Sequence, residues 1–69
     1  MIQAIVYDPE RKVHLMGRGG EMVRFIEENY SCTVDVKEEG VAYVYGHSQE
    51  NVTEAGQLIN VRFGNNKVS

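Results

Sequence analysis

The sequence predicts an α+β fold in which one sheet carries one layer of helices, in the order β-α-α-β-β-α. Three observations predict it. Residues 32–36 alternate apolar and polar, and a polar turn then leads into a second β-rich run, the pattern of a hairpin. The stretches 22–30 and 52–63 repeat apolar side chains at helical intervals, so each has one face to bury. The 69 residues are 42% hydrophobic and 25% charged, which suits a single small core and leaves no room for a second domain.

The elements follow in order. Residues 2–7, Ile-Gln-Ala-Ile-Val-Tyr, are rich in β-branched and aromatic types and read as a strand. Asp8-Pro9 ends it with an N-cap residue and a proline suited to the first helical position. Val13, Leu15 and Met16 support about two helical turns before Gly17-Arg18-Gly19-Gly20 stops them. Met22, Val23, Ile26 and Tyr30 then share one face of a second helix over Glu21–Asn29. Cys32, Val34 and Val36 alternate with Thr33, Asp35 and Lys37 as a half-buried strand, with Cys32 a small buried hydrophobe. Glu38-Glu39-Gly40 turns the chain into Val41–Tyr45, and Ser48 caps a last helix that buries Val52, Ala55, Ile59 and Phe63 before Gly64. One domain over 1–69 is expected, with its core in 2–63 and a frayed tail at 65–69.

Composition excludes several function classes. No apolar run is long enough to cross a bilayer, and the N-terminus lacks the basic and apolar regions of a secretory signal, so no membrane partner is expected and the default address is cytoplasmic. The opening Met1 favours a complete small protein over an excised domain. One cysteine and two dispersed histidines provide neither a disulfide framework nor a metal site, and no cofactor is implied. Cys32 has no adjacent base, and Glu27-Glu28 and Glu38-Glu39 are neighbours in sequence rather than convergent pairs, so no catalytic set is visible. The net charge of −3 opposes indiscriminate binding to nucleic acid, yet residues 9–24 carry a local +2 from Arg11, Lys12, Arg18 and Arg24 against Glu10 and Glu21.

That basic stretch surrounds Gly17-Arg18-Gly19-Gly20. A glycine-rich corner between two helices exposes backbone N–H groups to an anion, lets a sugar-phosphate chain come close and carries an arginine at its tip. The segment from Leu15 to Val36, followed by Gly40-Val41-Ala42-Tyr43-Val44-Tyr45-Gly46, resembles the K-homology (KH) domain, a nucleic-acid-binding module with a GxxG loop between two helices. It looks most like the KH domain of polynucleotide phosphorylase. The resemblance covers residues 2–63 and implies the type I arrangement, a three-stranded antiparallel sheet packed on one face by three helices.

The resemblance implies non-catalytic binding of single-stranded RNA or single-stranded DNA in a cleft for about four nucleotides. Gly17, Arg18, Gly19 and Gly20 would clamp backbone, Val13 and Met16 would form an apolar floor, and Met22 and Val23 would adjoin it. Arg24 would reach a phosphate or base, and main-chain groups of Thr33, Val34 and Asp35 would supply a hydrogen-bonding edge. Three departures stand out. Ser31 occupies the helix end where Gly or Asn is usual, Glu38 and Glu39 stand in the variable loop where basic residues are common and would repel a strand passing that end of the cleft, and Phe25 is apolar on a solvent side. If Ala42 and Val44 face the helices, then Val41, Tyr43 and Tyr45, joined by Ile5 or Tyr7, face outward as a surface for a protein partner or a homodimer. The competing reading is therefore a KH-shaped interaction or inhibitor module acting on RNA-processing machinery.

Overall fold

The computed structural model describes residues 1–64 and has the expected element order; the tail expected to fray, 65–69, lies outside the described residues. Strand β1 (Ile2–Val6) leads to a 3-10 turn (Pro9–Arg11) that runs into α1 (Lys12–Met16). Asp8 caps this entry, its carboxylate accepting from Glu10 N–H at 3.0 Å with Pro9 at the first position. A second 3-10 turn (Arg18–Gly20) precedes α2 (Glu21–Tyr30), and β2 (Thr33–Val36), β3 (Val41–Tyr45) and α3 (Gln49–Phe63) complete the chain. Ser48 caps α3 by accepting from Asn51 N–H at 3.2 Å.

The strands form one antiparallel sheet in the order β1-β3-β2, so β1 and β2 are both edge strands. Pairing sets Ile5 opposite Ala42 and Val34 opposite Val44, which puts all four on the helix-covered face. Leu15, Ile26, Val52, Ala55 and Ile59 close over them with no solvent exposure. Helix α3 lies closest to β1 at Gly56, where a Cβ would stand 2.8 Å from Ile5 Cδ1.

The expected outward places of Ile5 and Tyr7 are corrected here. Both belong to the core, at 8% and 1% exposure. Ile5 shares the strand parity that faces the helices. Beyond Val6 the chain tucks Tyr7 under the β2–β3 turn, where its N–H donates to Gly40 O at 2.8 Å and its hydroxyl donates to Lys37 O. The open face instead carries Ile2, Ala4 and Val6 beside the expected Val41, Tyr43 and Tyr45. Cys32 falls just ahead of β2 and is half-buried, a second correction, because the chain is still turning out of α2 at that point.

Candidate nucleic-acid interface

The Gly17–Gly20 corner depends on what each glycine does. Gly17 has φ +74°, and a Cβ there would lie 2.6 Å from Met22 N, so the corner folds directly onto the start of α2. Gly19 has φ +59° and nothing within 4 Å of where a Cβ would sit. Its exposed tip is bare. The first bond of this turn runs from Gly20 N–H to Gly17 O at 3.2 Å, which leaves the N–H groups of Arg18 and Gly19 ahead of it outside the turn's own pattern. Arg24, one turn into α2, reaches back and donates from Nη1 to Gly19 O at 2.8 Å. Arg24, its guanidinium held by that bond, and the exposed Arg18 of the turn itself therefore adjoin a helix start with no side-chain cap.

Helix α2 and strand β2 diverge from the Ser31–Cys32 bend like the arms of a V. Ser31 is the only non-glycine residue with positive φ among the described residues, at φ 49° and ψ 52°. The left-handed turn that usually falls to glycine is thus made by serine, at a cost on the order of 1 kcal/mol. Cys32 N–H donates to Glu27 O at 3.1 Å and closes the helix end. The carboxylate of Glu27 also accepts from Val34 N–H at 2.8 Å, tying the two arms together near their apex.

This bond fixes which main-chain groups β2 offers outward. Lys37 N–H donates to Val41 O at 2.8 Å, and antiparallel ladders alternate, so Thr33 and Asp35 also spend their main-chain groups on β3. Val34 and Val36 point theirs away from the sheet. Of the three residues expected at the edge, only Val34 has the outward phase, and its N–H is occupied by Glu27; Val36, which was not among the three, shares that phase. Side-chain alternation in the sequence says nothing about this main-chain phase. Nor does anything in the sequence distinguish Glu27 from Glu28.

On the other arm, Val13 and Met16 lie one turn apart on α1, with Val13 77% exposed and Met16 half-buried. Val23 and Glu27 share the flank of α2 toward β2. Met22 does not. It lines a cavity of about 560 Å³ between the helices, together with His14, Phe25, Tyr30, Leu58 and Phe63. The same cavity accounts for Phe25, which stands half-exposed at its rim.

The charges near the cleft are paired along its β2 side. Lys12 Nζ meets Glu38 Oε1 at 3.4 Å, joining α1 to the β2–β3 turn, and Lys37 Nζ meets Asp35 Oδ2 at 3.1 Å. Of the two acidic turn residues expected to repel a strand, Glu38 therefore has a cation beside it. The hydrogen bond and the charge of Asp35 hold the Lys37 ammonium above its ordinary pKa. Burial, and then the Glu27 carboxylate, push the Cys32 thiol up. Among the described residues, no group of His, Cys, Asp and Glu is arranged to hold a metal ion, and no helix is long and apolar enough to cross a membrane.

Comparison with known proteins gives a consistent result. Residues 3–61 match the KH domain family. Curated polyribonucleotide nucleotidyltransferases from Thermotoga petrophila, Thermotoga sp. strain RQ2 and Thermotoga maritima are each 33% identical over 60 residues, 86% of this chain and 8% of those proteins. The chain thus spans under a tenth of the length of these relatives. Among solved structures, Dim2p from Pyrococcus horikoshii OT3 matches with a TM-score of 0.79 over 93% of this chain and 43% of that one, at 17% identity, a likeness of fold.

Proposed function

This chain belongs to the KH domain family, in the type I order, and from that premise we propose that it binds single-stranded RNA through the Gly17–Gly20 corner without catalysing a reaction. The observation that carries the reading is the bare tip at Gly19, set between Arg18 and the positioned guanidinium of Arg24. A phosphate resting there meets free backbone N–H groups and charge-assisted donors, with no side chain to displace. Val13, Met16 and Val23 supply the apolar surface for bases, and the outward main-chain groups of Val36, with the Val34 carbonyl, supply hydrogen bonds. RNA is placed ahead of single-stranded DNA because relatives with this domain are named for polyribonucleotides. Their enzymatic activity is not carried over, since it belongs to proteins of which this chain matches 8%.

Titration with short labelled oligonucleotides at low salt tests the reading. Amide signals of Gly17 to Arg24 and of Val34 to Val36 should move, and each phosphate neutralised should add about 0.7 to the slope of log affinity against log salt. Replacing Arg18 and Gly19 by Asp should weaken binding at least tenfold while the remaining amide spectrum is kept. Saturating oligonucleotide that leaves the loop signals unmoved in a folded sample would refute the proposal.

A further inference from the structure

The bond between Val34 and Glu27 decides what the cleft offers to a base at that point. Glu27 Oε2 accepts from Val34 N–H at 2.8 Å, and no cation is paired with this carboxylate among the described residues. It is half-buried where α2 meets β2, close to Cys32 and Thr33 at the apex. A residue in an antiparallel strand turns its N–H and its C=O to the same side, so Val34 O faces the cleft next to the carboxylate. A free strand edge offers a base one donor and one acceptor. Here the donor is spent, and two acceptors remain: the Val34 carbonyl and a carboxylate with an oxygen to spare.

We propose that Glu27 is a specificity-determining residue that makes the cleft select guanine for the base held beside Val34, a proposal that rests on the single-stranded RNA reading given above. Unpaired bases are read along their Watson–Crick edges. Only guanine sets two donors side by side there, N1–H and the N2 amino group. Adenine and cytosine set a donor beside an acceptor, and uracil places one donor between two acceptors. The ring nitrogen of adenine or cytosine needs the Val34 N–H, and it meets a carboxylate oxygen instead, acceptor against acceptor. Guanine meets both acceptors with donors, and its bond to the carboxylate is charge-assisted. Leaving an acceptor unpaired in a half-enclosed cleft is costly, so the choice comes as much from rejecting adenine as from holding guanine. Val36, two residues along the same edge, keeps its own N–H and C=O and carries no such bias.

Affinities of the full chain for short uridine oligomers carrying a single guanine, adenine or inosine provide the test. The guanine oligomer should bind about tenfold tighter than the adenine oligomer, and inosine, which lacks the N2 amino group, should fall between them. Glu27→Gln keeps an oxygen for the Val34 N–H and sets an amide donor beside Val34 O, so the preference should pass from guanine to adenine. Glu28→Gln removes the same charge from an exposed position on α2 and should leave the ratio unchanged. Guanine and adenine oligomers bound equally by the parent chain, or a guanine preference that survives Glu27→Gln in a folded sample, would each overturn the proposal. The parent comparison needs no variant, so it decides the matter whether or not Glu27→Gln folds. Failure of every oligomer to bind would overturn the RNA reading on which the proposal rests, a result distinct from binding without preference.

Discussion

Along β2 the outward hydrogen-bonding groups lie under α2, where Glu27 holds the Val34 N–H and Asp35 and Lys37 set charges on either side of Val36. Along β1 the corresponding groups of Ile2, Ala4 and Val6 meet nothing in the described chain, and no charge stands near them in the strand. The two strands differ little in length or propensity. What separates them is connection: β2 follows directly from the helix that flanks it, whereas α3 covers only the face of β1, whose margin is free among the described residues. A sheet edge can therefore be kept as a restricted cleft on one side and as an unguarded ladder on the other, within one small domain.

The largest expected break in this contrast is Gly17→Ala. It forces a side chain into a left-handed position and onto Met22 N, and should cost about 3 kcal/mol in urea unfolding while disordering the cleft side first. Glu27→Ala removes the guard from β2 and makes that edge more like β1. It should lower stability by about 1.5 kcal/mol and speed hydrogen exchange at the Val34 amide, whereas Glu28→Ala should leave that amide unchanged. Ser31→Gly relaxes the bend from which the V opens, and should raise stability by about 0.5–1 kcal/mol, read as a higher denaturant midpoint.

Cys32 reports on the same apex. Its folded-state pKa is raised, so the native protein favours the protonated thiol, a preference fully present below the unfolded pKa and lost as pH rises through the folded one. Alkylation at mildly alkaline pH should accordingly be slower in the native than in the unfolded chain. Smallest of all, Val6→Lys adds to β1 the guard it lacks and should shift monomer stability by less than about 0.5 kcal/mol.

Much of the fold was legible because each element carries its own period or stop signal. Asp8-Pro9, the glycine corner, the alternation around Val34 and the Ser48 cap each mark a boundary that the structure has. The first strand was harder. Ile-Gln-Ala-Ile-Val-Tyr has apolar residues on both parities, so nothing local assigns Ile5 to the core and Val6 to solvent; the pairing with Ala42 does. Met22 and Val23 are both apolar and adjacent, and only the position of α3 sends Met22 toward Leu58. The glycine corner between α1 and α2 could be read from sequence alone. The hydrogen-bond phase of β2 and the hold of Glu27 on it could not, since both arise from how the helix and strand meet.

The strand order β1-β3-β2 makes β3 the one strand of the sheet with both sides filled, its odd residues bonding β2 and its even residues bonding β1. A slip of β3 by a single residue would therefore unseat both neighbours at once and turn Ala42 and Val44 out of the core.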